Sequence, residues 1–228
     1  MTSVRKISLL AIAVAFLLVT PAAFADSMTL TGVGNNGSLY GVYVGPYVAT
    51  VDGATNTPVI CDDYAHESYL NTAWNVNVSS FPSLTNVRFT GPNETQNYDE
   101  VAYLANILFG VSGNNAEADA LQYAIWDIND PTDVNAAIGS TSFFTDSSNP
   151  DGVAYWLSQA NNAYLTNSIP AGDLSDLLIY TPTTGGSGSP QEFIVETPEP
   201  STILLLGLGV GALCFMKRRV RLASPIQA

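Results

Sequence analysis

Leu121-Gln122-Tyr123-Ala124-Ile125-Trp126-Asp127-Ile128 reads as the centre of an amphipathic helix. Ala118, Leu121, Ile125 and Ile128 recur at helical spacing and predict a core-facing stripe. Gln122 and Trp126 are four residues apart, so they stand one above the other along one side of it. Glu117 and Asp119 favour its positive N-terminal end, and Pro131 stops it. A second helix is expected before it, over 97–109, where Val101, Leu104, Ala105 and Leu108 form an i, i+3, i+4, i+7 stripe. Gly110, Gly113 and Asn114 separate the two. A third is expected after it, over 150–164, with Asn149 as cap, Pro150 in the first turn, and a face of Val153, Trp156, Leu157, Ala160 and Tyr164.

Strand patterns lie on both sides of these helices. Residues 28–51 are rich in Tyr and Val, interrupted at Gly45-Pro46. Asp52-Gly53 signals a turn, and 57–61 reads as the returning strand. Trp74, Val76 and Val78 alternate with Asn75 and Asn77, the mark of a half-buried strand. Short strands are expected at 87–90, 177–180 and 193–195, with a Gly/Ser/Thr loop over 183–189. Strands, then three helices, then strands predict an α+β domain: a β-barrel or sandwich with an inserted three-helix segment.

Both ends of the chain carry export signals. Residues 1–25 read as a signal peptide: Arg5 and Lys6, an apolar run over 7–19, and the small-x-small site Ala23-Phe24-Ala25. An uncleaved anchor is the alternative. At the other end Pro198-Glu199-Pro200 precedes an apolar run over 202–216 and then Lys217, Arg218, Arg219 and Arg221. Fifteen helical residues span roughly 22 Å, short for a hydrocarbon core of about 30 Å. The basic cluster belongs on the cytoplasmic side, which places 26–196 outside. This tail resembles the PEP-CTERM sorting signal of Gram-negative bacteria, in the segment 197–228. The resemblance implies recognition by an exosortase, a membrane transpeptidase, and removal of the helix. The membrane would then be engaged only through the precursor's C-terminal helix. A plain C-terminal anchor is the other reading.

The exported segment, 26–196, is one domain's length at 171 residues. It holds nineteen carboxylates against one basic residue, Arg88, a formal charge of −18. Such a field repels nucleic acid and anionic lipid and draws in cations and protonated amines. Aromatic and β-branched residues are plentiful enough to exclude disorder.

Cys61, in Val59-Ile60-Cys61-Asp62-Asp63, is the only exported cysteine, since Cys214 lies in the apolar tail. An unpaired cysteine in an oxidising compartment has a special fate to explain. Spacing alone favours a buried, inert thiol and an unrelated surface Gln122. A strand-end Cys followed by a helical Gln122-x-Ala124-Ile125-Trp126 resembles the thioester domains of bacterial surface adhesins. The resemblance implies a bond between the Cys61 sulfur and the Gln122 side-chain carbonyl, open to capture by an amine. A thioester survives only where water is excluded, and Tyr64, Trp74, Tyr123 and Trp126 are the candidate shields. Asp62, Asp63 and His66 are candidate acceptors for the proton an attacking amine must lose.

Other constellations are weaker. Asp62, Asp63, His66 and Glu67 match no fixed metal-ligand pattern, and Cys61 with His66 lacks a third, orienting group for a nucleophile. Asp127, Asn129, Asp130 and Asp133 have the composition of a calcium loop without its Gly and terminal Glu, so turn chemistry is expected there. The expectation is an exported, exosortase-processed protein of the cell surface or extracellular matrix, needing no metal or cofactor. It attaches once, through its thioester, to an amine-bearing surface protein or matrix component, and is therefore not a turnover enzyme. A non-reactive structural or binding protein of an exopolysaccharide matrix is the alternative. A hydrolase built on residues 62–67 is a third reading.

Overall fold

The computed structural model describes residues 26–34, 37–111 and 115–197. The expected signal peptide, the Pro198-Glu199-Pro200 motif and the apolar run 202–216 lie outside them. Among the described residues no helix is long and apolar enough to cross a membrane.

Six antiparallel strands close into a barrel. Going round it they are β1 (Ser27–Gly32), β4 (Tyr47–Val51), β5 (Ala54–Cys61), β8 (Phe193–Glu196), β7 (Leu177–Pro182) and β6 (Ala73–Ser80), which pairs again with β1. Closure leaves these strands no open edge. The turn between β4 and β5 is Asp52-Gly53, both at positive φ (50° and 85°), the geometry a two-residue hairpin requires. The stretch 38–43 forms a separate small ribbon, β2 (Ser38–Leu39) with β3 (Val42–Tyr43), and Gly45-Pro46 ends it before β4 begins. On β6, Val76 is buried, Trp74 half-buried and Asn75 exposed, as the alternation requires, whereas Asn77 is half-buried like Val78 and Ser79 is buried.

The helical insertion is larger than three helices. The three long ones are α1 (Glu94–Gly110), α2 (Asn115–Asn129) and α5 (Val153–Leu165); α3 (Pro131–Ile138), α4 (Ser142–Thr145) and α6 (Ala171–Ser175) are short. Pro131 does end α2, but it also serves as the first residue of α3, where its missing N–H costs nothing. The third long helix starts at Val153, later than its cap signal suggests. Asn149 spends its side chain on the Asp151 N–H (3.1 Å), and Gly152 abuts the Asp146 carbonyl, where a Cβ would lie 2.2 Å from the oxygen. The segment 87–90 is not a strand. Its backbone donors go to side chains: Arg88 N–H to Glu192 Oε2 (2.9 Å) and Phe89 N–H to the Tyr98 hydroxyl (3.2 Å).

The α1 stripe of Val101, Leu104, Ala105 and Leu108 is fully buried. α2 is buried nearly all round: Ala118, Leu121 and Ile125 as expected, and also Ala120, Gln122, Tyr123, Ala124 and Trp126, while Ile128 is half-buried. A helix so enclosed is the centre of its layer. Both α1 and α2 touch β5. At the end of β5 three successive residues, Val59, Ile60 and Cys61, are buried, so both faces of the strand are covered there.

Candidate functional site

Cys61 ends β5 opposite Phe193 of β8. Gln122 lies mid-way along α2, 61 residues on, and its Nε2 donates to the Cys61 carbonyl at 2.6 Å. Both residues are fully buried. The thiol itself donates to the Asp63 carbonyl at 3.1 Å. The Gln122 Oε1 has no hydrogen-bond partner. It rests against Gly45, where a Cβ would come within 2.5 Å of it. A buried amide oxygen with no donor carries a desolvation cost of about 1–3 kcal/mol, a departure from ordinary core packing.

The end of α2 pins the cysteine segment in place. Asn129 Nδ2 donates to the Asp62 carbonyl (3.2 Å), and Asp130 Oδ2 accepts from the N–H groups of Tyr64 (2.8 Å) and Ala65 (3.3 Å). The acidic stretch at the helix end thus does more than make a turn: it fixes residues 62–65 against the helix that carries Gln122.

An aromatic cluster is built around Trp126 and Tyr123 of the same helix. Tyr64 lies on Trp126 at 5.2 Å and Tyr123 on Trp126 at 5.0 Å, while Tyr40 and Phe143 meet Tyr123 at 6.0 and 5.6 Å. Of the four expected shields, Tyr64, Tyr123 and Trp126 form this cluster. Trp74 instead stacks on Phe193 (6.2 Å), the strand partner of Cys61. Tyr47, unremarked in the sequence, closes another side: its ring meets Phe193 at 6.0 Å and lies 3.1–3.2 Å from the Cβ position of Gly45.

Burial pushes the Cys61 thiol well up, and the negative charges of Asp63 and Asp62 push it further. The Asp63 backbone hydrogen bond, followed by the Trp126 side chain, opposes this less strongly. Burial likewise raises the Tyr47 hydroxyl, with smaller contributions from Cys61 and Tyr123. The site therefore disfavours a standing thiolate and suits a neutral sulfur.

The three candidate proton acceptors sit in different settings. Asp63 is fully buried and held by Arg88 Nη1 (2.5 Å) and by His66 Nδ1 (2.9 Å). Asp62 is also fully buried; burial, then the negative charges of Glu192 and Asp63, raise its pKa well above the usual carboxylate range. Glu192 is the hub of this network. Its carboxylate accepts from the Tyr98 hydroxyl (2.6 Å), the Thr181 hydroxyl and the Arg88 N–H. Arg88 Nη2 continues to Ser189 Oγ (2.8 Å) and the Pro190 carbonyl (2.7 Å). Of the three, Asp62 and Asp63 are fully buried, and His66 is a quarter exposed. Glu192 and Arg88 had no sequence signal beyond Arg88 being the sole exported base. Among the described residues no group of three or more potential metal ligands converges.

A cleft of about 540 Å³ opens beside the site. Tyr47, Tyr64 and Trp126 line it, and Tyr47 and Trp126 also interact with Cys61.

Comparison with known proteins bears on two parts of the chain. Residues 196–220 match the family model described as the PEP-CTERM protein-sorting motif, which implies exosortase-dependent export from a membrane-anchored precursor in a Gram-negative bacterium. The described fold is similar to a solved structure, the N-terminal thioester domain of protein F2 like fibronectin-binding protein from Streptococcus pneumoniae. The identity is 12%, the TM-score 0.46, and the match covers 79% of this chain and 96% of that one. No curated relative matches the chain.

Proposed function

We propose that the exported domain closes a thioester between Cys61 Sγ and Gln122 Cδ and uses it once, to attach covalently to an amine on a partner at the cell surface or in the extracellular matrix. The observation that carries this reading is the contact between two fully buried residues 61 positions apart, with the Gln122 amide 2.6 Å from the Cys61 carbonyl. Closure forms the S–C bond and breaks the C–N bond; the thiol proton leaves with the amide nitrogen as ammonia. The product replaces a buried ionisable thiol by an acyl sulfur that cannot ionise. Ring cover from Tyr64, Tyr123 and Trp126 excludes water, which would otherwise hydrolyse it.

Attack by an amine forms a new C–N bond at Gln122 Cδ and breaks the C–S bond. The sulfur leaves as thiolate and is reprotonated; the proton lost by the amine passes to His66, the accessible acceptor, or to water. The amide is stable, so the chain does not turn over and is not an enzyme. Incubation with isotope-labelled methylamine tests this: peptide mapping finds an N-methyl amide at Gln122 and a newly alkylatable Cys61. Label at neither residue, or label that persists in Cys61→Ala, contradicts it. The second reading, an inert matrix protein, draws on the satisfied Sγ–H to Asp63 carbonyl hydrogen bond and predicts no label.

A further inference from the structure

The cleft beside the thioester pair has its own chemistry. One wall is the β2–β3 ribbon with Tyr43; the other is the loop 66–70; Gln191 closes one end. Tyr43 and Tyr69 are 55% and 68% exposed, unusual for rings so large, and they stand at the cleft's margin. Four polar side chains follow between them, each with spare hydrogen-bonding capacity. Glu67 Oε2 accepts from the Tyr69 hydroxyl (3.0 Å), leaving Oε1. Ser68 Oγ accepts the Gln191 N–H (2.9 Å), leaving its own O–H to donate. Gln191 Nε2 donates to the Asp63 carbonyl (2.8 Å), leaving Oε1. His66 uses Nδ1 on Asp63, leaving Nε2. Arg88, the one Lys or Arg among the described residues, does not line the cleft and is engaged by Asp63, Ser189 and Pro190.

The geometry points to a saccharide carrying a free amine, a de-N-acetylated hexosamine segment, as the ligand of this cleft. Exposed aromatic faces take the C–H face of a pyranose ring. The spare donors and acceptors of His66, Glu67, Ser68 and Gln191 take its hydroxyls, and an alkylammonium, which only donates, would leave the Ser68 O–H unused. The net charge of the exported segment and the Glu67 carboxylate select a cationic sugar over a neutral one and reject an anionic one; the tyrosine rings add attraction for the ammonium. An extended peptide is disfavoured because strand addition needs a free edge. The barrel is closed, and the β2–β3 ribbon has only two residues per strand. The further fate of the sugar amine, capture at Gln122 after Tyr64 and Trp126 part, rests on the thioester reading; the binding itself does not.

The test uses the exported protein carrying Cys61→Ala, so that only reversible binding is read, with a glucosamine tetramer, its N-acetylated counterpart and a lysine-containing peptide as probes in calorimetry. The glucosamine tetramer binds best. Tyr69→Ala weakens it roughly tenfold or more, in line with loss of a stacked ring. Glu67→Gln abolishes the preference over the N-acetylated tetramer. Both residues are exposed, and an unchanged melting temperature shows that each variant remains folded. No binding by the glucosamine tetramer, binding indifferent to Tyr69→Ala, or tighter binding of the lysine peptide overturns the proposal. Because Cys61 is absent, these outcomes leave the thioester reading standing or falling on its own mass measurement.

Discussion

Replacing Gly45 by Ala places one methyl group against the reactive amide. Its Cβ would lie 2.5 Å from Gln122 Oε1 and 3.1 and 3.2 Å from two Tyr47 ring carbons. The first distance is shorter than any tolerated contact, and the other two leave the Tyr47 ring little room to yield. The carboxamide is the part that must move, by more than half an ångström on the order of van der Waals separations. Moving it breaks the 2.6 Å bond to the Cys61 carbonyl within a fully buried site, at a cost of about 1–3 kcal/mol. It also displaces the amide carbon that the thioester reading requires the sulfur to reach, and a misplacement of about 1 Å costs on the order of 100-fold in rate. Gly45→Ala should therefore fold with stability lowered by about 1–3 kcal/mol in urea denaturation. Its intact mass should show no loss of ammonia after times at which the wild-type chain has reacted fully. Gly91→Ala is the control, since a Cβ there meets nothing within 4 Å and its φ is not positive; it should change neither quantity. A Gly45→Ala protein of unchanged stability with its thioester fully formed would refute the reasoning.

Two further outcomes follow from the buried charges. Arg88→Met leaves Asp63 buried beside a quarter-exposed His66 and without its guanidinium, and should cost about 3–5 kcal/mol in chemical denaturation; adding Asp63→Asn should recover part of that, and a single-variant loss below about 0.5 kcal/mol contradicts the assignment. Burial raises Asp119 and Asp127 to about 6. A carboxyl raised above its unfolded value of 3.8 contributes stability that is fully present below that value and lost as pH rises through about 6. The melting temperature should therefore climb as pH falls from about 6 towards 4, and a monotonic fall over that window would contradict it.

Local patterns carried far. The α1 stripe, the β6 alternation and the Asp52-Gly53 turn are legible because one period or one turn geometry determines them. Gln122 and Cys61 are legible because an odd cysteine and a helical Gln-x-Ala-Ile-Trp frame stand out against the rest of the chain. What the sequence hides is set by closure of the barrel. Arg88 reaches Glu192 across 104 residues, and that contact is also why 87–90 forgoes a ladder and is no strand. Gly45 and Tyr47 crowd Gln122 only because the approach to β4 passes beside α2. Pro131 reads as a stop and is also a start, since the first turn of a helix needs no N–H from it. Asp62 and Asp63 look like surface acids, yet both are fully buried, the first with its pKa pushed well up and the second paired with Arg88.

The most direct measurement is the intact mass of the native exported protein, read together with thiol labelling before and after a small amine. The account predicts a mass lower than the processed sequence by one ammonia and no labelling of native Cys61. After the amine, the thiol should label fully, and either Cys61→Ala or Gln122→Ala should restore the full mass apart from the substitution. A native protein at full sequence mass whose Cys61 alkylates freely would contradict the thioester and leave the inert matrix protein as the better description.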